Sequence, residues 1–242
     1  KICHSEKTPK IFLKVEKEQK RKCKYFNFNS NLNFSGDRFL KKEWWTVKAP
    51  GMFMNRSFTK SPVNVSAGKK LSSDTMKGRV YESNLGDLHN INCYKKIKLI
   101  VDDTASGENK TALTNFHGID TTKDHLCSLI MKWHSLIETF VDVKTTDGFL
   151  LRLFPIAFTQ RNKYQLRATT YAQISQVKQI RRRMREIIAK FVSRNTLKEV
   201  VNNLIHETLS KEMTDAAKKI FPIKHCIIRK VKTIKRPRYD SN

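Results

Sequence analysis

Residues 140–159 read FVDVKTTDGFLLRLFPIAFT, and the reading of this stretch decides the fold. Two apolar runs meet at Thr146-Asp147-Gly148, where an Asp-Gly pair accepts the positive φ angles that a tight hairpin requires. The richness of the second run in Leu, Phe and Ile predicts strands central to a sheet rather than at its rim.

Upstream lie five shorter β-type runs: KKEWWTVKAP from Lys41, MFMNRSFTKSPVNVS from Met52, GRVYESNL from Gly78, KKIKLIVDD from Lys95 and KTALTNF from Lys110. Pro50-Gly51, Pro62 and Ser106-Gly107 punctuate them as turns do. Between these runs and the hairpin, Leu126, Leu129, Ile130, Trp133, Leu136, Ile137 and Phe140 recur at steps of three and four. That period predicts one amphipathic helix from Thr121 to Phe140, begun by a capping box of Thr121 and Asp124.

Downstream, residues 160–173 (QRNKYQLRATTYAQ) form a connection that is long for a compact domain and dotted with cations and rings. Three helical stretches follow. The first carries Val177, Ile180, Met184, Ile187, Ile188 and Phe191 on one arc; the second keeps its period after a Thr196/Glu199 capping box; the third runs to Phe221 and stops at Pro222. The run IKHCIIRKVKTIK then predicts a closing strand. No helical or strand period persists over residues 1–36, which read as a basic extended arm shaped by a partner.

The expected fold is therefore α+β: a mostly antiparallel sheet or small β-barrel packed with several amphipathic helices, plus the extended basic N-terminal arm. The body spans 37–242, with a β-rich part at 41–120, helix and hairpin at 121–159, basic loop and helices at 160–221 and the closing strand at 222–238.

The chain has 242 residues with 48 Lys and Arg against 22 Asp and Glu, a formal charge of +26 that is unusual for a soluble enzyme. The charge is uneven: residues 1–79 hold 19 cations and 6 acids, 80–159 hold 8 and 10, and 160–242 hold 21 and 6. Two basic ends around a neutral middle suit a polyanion gripped by the ends, with the middle supplying core and facing protein or solvent. An anionic membrane would attract the same charge, but no basic helix carries the Trp, Phe and Leu face of an interfacial anchor. No run approaches a membrane span and no apolar leader is evident, so a soluble intracellular protein is expected. Five separated cysteines without a CxxC pair argue for reduced thiols.

Four candidate nucleic-acid contacts emerge. Lys178, Arg181, Arg182 and Arg185 sit at i, i+3, i+4 and i+7 of one helix, with Arg183 on the other flank, and Glu186 is the sole acid among six cations from Lys178 to Lys190. Self-repulsion along that face is resolved by an external polyanion. The loop residues Arg161, Lys163 and Arg167, with Tyr164 and Tyr171, combine cations and rings as in proteins that hold backbone and stack bases, although both tyrosines can equally pack beneath the loop. Lys41, Lys42, Trp44 and Lys48 form a third cluster, in which alternation leaves one of Trp44 and Trp45 for the core. Arg229, Lys230, Lys232, Lys235, Arg236 and Arg238 interleave with apolar residues, as a strand lying between core and phosphate would.

Metal ligation lacks support, since no Cys or His pairs stand at zinc spacing and His125 and Cys127 diverge on a helix. Gly107-Glu108-Asn109-Lys110-Thr111 lacks the glycine and Gly-Lys-Ser core of a phosphate loop, and Asp102 and Asp103 point apart on a strand. No catalytic residue, metal or cofactor is expected, and the chain is not read as an enzyme.

At KKEWWTVKAP, LTNFHGID, FVDVKTTDGFLLRLF, YAQISQVKQIRRRMREI and NTLKEVVNNLI the sequence resembles the small-subunit ribosomal protein family called S-three-a, the S-one-e class of eukaryotes and archaea. The likeness runs in order from about Asp37 to Arg238. It implies a structural constituent of the small ribosomal subunit that binds rRNA at the platform, near the messenger exit and the rRNA 3′ end, and that supports assembly and translation. It also implies neighbouring ribosomal proteins as partners, with initiation factors and messenger RNA within reach, no membrane, residence on cytoplasmic ribosomes and assembly in the nucleolus. Members usually open with a Lys/Gly-rich arm, whereas residues 1–36 carry Asn, Phe and Cys. An RNA-binding assembly factor or regulator acting off the mature ribosome is the alternative.

Overall fold

A computed structural model describes residues 37–91, 93–105, 107 and 110–237. The expected arm at 1–36 lies outside the described residues. The chain divides after Lys42 into two units. In the first, Arg38–Lys41 forms a 3-10 turn begun by Asp37, whose carboxylate accepts from the Phe39 amide at 3.0 Å.

Strand β1 (Lys42–Lys48) leads into the second unit, followed by β2 (Ser57–Asn64), helix α1 (Ser72–Met76), β3 (Val80–Asn84), α2 (Leu85–His89), β4 (Lys95–Ala105) and β5 (Thr111–Thr121). After these come α3 (Lys123–Leu129), β6 (Leu136–Glu138), β7 (Val141–Lys144) and β8 (Leu150–Thr159). Helices α4 (Ile174–Val192), α5 (Leu197–His206) and α6 (Thr208–Lys218) precede β9 (Ile223–Lys235).

Among the described residues nine strands make one open sheet in the order β2-β1-β5-β9-β8-β6; β4 pairs with both β3 and β5, and β7 pairs with β8. The architecture is α+β and mostly antiparallel, as the sequence predicts. Strand β5 is the branch point. Strand β4 runs antiparallel along its whole length, so β1 and β9 share its other edge: β1 pairs parallel at Thr111–Leu113, and β9 antiparallel at Gly118–Asp120. At the second contact, a Cβ on Gly118 would lie 2.5 Å from the Val231 carbonyl oxygen, so only glycine lets the two backbones meet.

The hairpin of β7 and β8 forms where Asp-Gly directs it, with Gly148 at φ +88°. Asp147 does more than turn the chain. Its carboxylate accepts from the Leu197 amide at 2.7 Å, tying the hairpin tip to the start of α5. The expected capping box is also present, since the Thr196 amide donates to Glu199 at 3.0 Å and the Thr196 hydroxyl accepts from the Glu199 amide at 3.4 Å. Thr196→Ala is expected to lower stability by about 1 kcal/mol, read as a lower urea midpoint with an unchanged slope.

Helices α4 to α6 cover the β8–β9 half of the sheet. Ile180, Met184, Ile188 and Val192 of α4 are fully buried in one cluster with Leu151, Leu153, Val201, Met213 and Ile228. A smaller core under β1 and β2 joins Trp45, Val47, Val63, Met76, Val101 and Ala112.

One predicted element is different. Helix α3 ends at Leu129, Trp133 adopts φ 70°, and the chain then extends into β6, so no helix spans 121–140. The Thr121 hydroxyl donates to the Arg229 carbonyl rather than capping, and Thr122 holds the cap position without a side-chain bond. The physical reason is pairing: Leu136–Glu138 lies along Ile156–Phe158, which buries Ile137 completely, while Ser135 and His134 bond to Thr159. Cross-strand burial outweighs local periodicity. Cys127 on α3 is exposed.

Candidate nucleic-acid interface

Helix α4 presents the most regular array of cations. Its inward stripe is locked in the core, which fixes the outward positions Lys178, Arg181, Arg182, Arg183 and Arg185 on a rigid rod, all of them exposed. Glu186 engages two of them, accepting from Arg182 at 2.9 Å and from Arg183 at 3.1 Å. The hydrogen bond from Arg182, reinforced by Arg183, holds the Glu186 carboxyl below its ordinary range. Lys178, Arg181 and Arg185 have no acidic partner among the described residues. The Arg185 guanidinium instead donates to the Arg181 backbone carbonyl at 3.3 Å, which lays the Arg185 side chain back along the helix.

The loop before α4 is shaped by its own arginine. Arg161 donates to the carbonyls of Gln165 and Leu166 at 2.8–3.2 Å, and Gln165 donates to Arg167 and Thr169, so the loop is cross-braced and does not depend on buried apolar side chains. Lys163, Tyr164 and Arg167 therefore project outward, and Tyr164 is 96% exposed. Of the two tyrosines, neither is packed beneath the loop.

At β1, alternation sorts the tryptophans: Trp44 is 55% exposed and Trp45 1%. Lys48 lines a hollow with Pro50, Arg56 and Leu113. Lys41 is exposed and Lys42 half-buried in the first unit.

The closing strand is mixed. Arg229 faces Glu138 at 3.6 Å, Lys230 faces Asp120 at 3.2 Å, and Arg236 bonds Asp102 and the His117 ring. Burial, aided by Arg236 and Lys98 and opposed by Asp102, pushes the His117 pKa down. Lys232 lies over the Phe154 ring at 5.9 Å, and Lys235 is exposed. Arg238 lies outside the described residues. Several of these cations thus brace the sheet, while the α4 face and its loop look outward.

A further basic tract was legible only as density: Arg56, Lys60, Lys69, Lys70, Lys77 and Arg79 fall within one stretch whose sole acid is Asp74. Lys69 and Lys70 line a hollow beside Asn64 and Asp74, and Arg79 donates to Ser61 and Pro62. No motif marks them, because phosphate contacts need charge and reach rather than a fixed spacing.

Among the described residues no three His, Cys, Asp or Glu side chains gather as metal ligands would, and Asp102 is turned to Arg236. No described helix is long and apolar enough to cross a membrane. An α+β body with outward cations has the surface charge that suits a polyanion. The chain belongs to the Ribosomal S3Ae family, whose profile matches residues 33–237. It is a structural, rRNA-binding protein of the small ribosomal subunit.

Proposed function

We propose that the protein binds small-subunit rRNA at the platform, near the messenger exit and the rRNA 3′ end, and that its binding supports subunit assembly in the nucleolus and translation in the cytoplasm. The single observation that carries this reading is the outward face of α4, where Lys178, Arg181 and Arg185 stand exposed and unneutralised on a helix whose other side is fixed in the core. Such a face neutralises phosphate crowding where RNA helices meet, at no cost in ordering the backbone that carries it. The 161–167 loop, the Trp44–Lys48 strand and Lys235 extend the same surface chemistry. Shape and backbone contacts dominate over base readout. Binding to the folded RNA then stabilises that fold by mass action. Initiation factors and messenger RNA near the exit come within reach of a protein so placed.

The test uses the full chain and protein-free small-subunit rRNA. In the triple variant Lys178→Gln, Arg181→Gln, Arg185→Gln, the slope of log affinity against log salt should fall by about 2 to 3, since each phosphate contact contributes about 0.9. Far-UV circular dichroism should stay unchanged, and incorporation into small subunits on sucrose gradients should drop. An unaltered slope would remove α4 from the interface.

A further inference from the structure

The failed helix at 121–140 leaves a surface that RNA binding does not explain. Past α3 the chain exposes Ile130, Met131, Trp133 and Leu136, and across from them lie Tyr171 and Ile174 at the start of α4. Hydrogen bonds hold the two segments together: the Thr170 amide donates to the Trp133 carbonyl at 2.8 Å, the Ala172 amide to the Ser135 hydroxyl at 3.1 Å, and His134 bridges in parallel to Thr170. Trp133 is 56%, Tyr171 58% and Ile174 77% exposed.

Trp133 is held at φ 70°, a conformation that bulky L-residues avoid, and in it the ring remains outside while the polar neighbours His134 and Ser135 are bonded inward. The adjoining chain is mostly cationic, with Asp124 on α3 just before Ile130. Segments 130–140 and 160–181 contain Lys132, Arg161, Lys163, Arg167, Lys178 and Arg181 against one acid, Glu138, which Arg229 already engages. Lys132 and Lys178 make no ion pair among the described residues.

We propose that this surface docks a neighbouring protein through a segment carrying large apolar side chains flanked by Asp or Glu. The aliphatic members decide between macromolecules. Bases stack on Trp133 and Tyr171, but a polynucleotide offers nothing that uses Ile130, Met131, Leu136 and Ile174, whereas an apolar segment uses all six. Lys132, which stands outside the rRNA-facing α4 array and its loop, is the rim cation that selects an acidic flank.

The inference rests on the ribosomal reading, and the test separates the two. The full chain, with p-benzoylphenylalanine in place of Tyr171, is expressed in its own cells, recovered in small subunits and irradiated. The expected product is a nuclease-resistant adduct with one protein, mapping to a segment rich in apolar residues with acidic neighbours. Adding Ile174→Glu, which a helix start tolerates, should cut its yield about tenfold through charge repulsion and the lost contact. Adding Trp133→Gly, which suits the positive φ and so preserves the backbone, should do the same. An adduct to RNA, an adduct to a basic segment, or no adduct would each overturn the proposal. Absence of the chain from small subunits before irradiation would count instead against the ribosomal reading.

Discussion

Lys95→Met should destabilise the protein by about 1–3 kcal/mol, because it leaves the Leu204 carbonyl and the half-buried Glu207 carboxylate without their shared donor. Lys95 lies on β4 with its side chain 7% exposed, and its ammonium meets the Leu204 carbonyl at 2.7 Å and Glu207 at 2.6 Å. Glu207 occupies the corner between α5 and α6 at φ 60° and also accepts from the Tyr94 hydroxyl. The lysine thus serves an orphan carbonyl at the end of α5 and the charge at its corner. Burial alone would raise the Glu207 pKa, but the hydrogen bonds from Lys95 and Tyr94 outweigh it and leave the carboxyl below its ordinary value. Burial also lowers the Lys95 pKa, with Glu207 opposing.

The sign of the pH dependence follows. A depressed carboxyl contributes stability above the unfolded pKa, near 4.3, and that contribution is lost as pH falls through the folded value. The wild type should therefore lose stability below about pH 4.5, at the upper end of that loss. In Lys95→Met the Tyr94 hydrogen bond and the weaker field of His125 are left to oppose burial, so the Glu207 pKa should rise and the urea midpoint should increase as pH is lowered from 7 to 5. The double variant Lys95→Met, Glu207→Asn removes both charges and places at 207 a residue that tolerates positive φ. It should recover at least half of the loss, and failure to recover would show that the pair is not what holds the corner.

Gly118→Ala should cost about 3 kcal/mol, the upper range for an inserted methyl that cannot be accommodated. The atom in the way is the Val231 backbone carbonyl, 2.5 Å from the new Cβ, and no rotamer change relieves it. The seam between β5 and β9 must open, and with it the ion pair that Asp120 makes to Lys230 at 3.2 Å. Hydrogen exchange should show the loss first at the amides of 118–120 and 230–232. Gly148→Ala offers a contrast, since its new Cβ meets only Pro237 at 3.5 Å and the penalty comes from φ +88°.

The strands, the hairpin and the three long helices were legible because period and turn chemistry agree there. Thr196, Asp147 and Gly148 act locally, and Trp44 and Trp45 separate as alternation requires. The stretch 121–140 was not legible as it stands, because Leu136 and Ile137 satisfy a helical stripe and a strand equally, and the choice is made by β8, which lies 20 residues downstream at Ile156–Phe158. The α4 face was readable from spacing alone. The closing strand's cations were not, since Asp102, Asp120 and Glu138 reach Arg236, Lys230 and Arg229 only after the sheet is assembled. Lys95 gives no local sign of its burial, because its partner sits 112 residues away, at the corner between α5 and α6.

The topology carries a timing problem. Strand β9 is the only sheet contact, among the described residues, between the half that β1 to β5 build and the half that β6 to β8 build. Among the described strands it is also the last in chain order, and synthesis proceeds at roughly 5–20 residues per second. Until it arrives, β5 and β8 each present an unsealed margin, and a nascent chain waiting at this stage is open to sticking to its siblings. A stop codon or a ribosome stall shortly before Ile223 should therefore yield aggregate rather than a smaller soluble product.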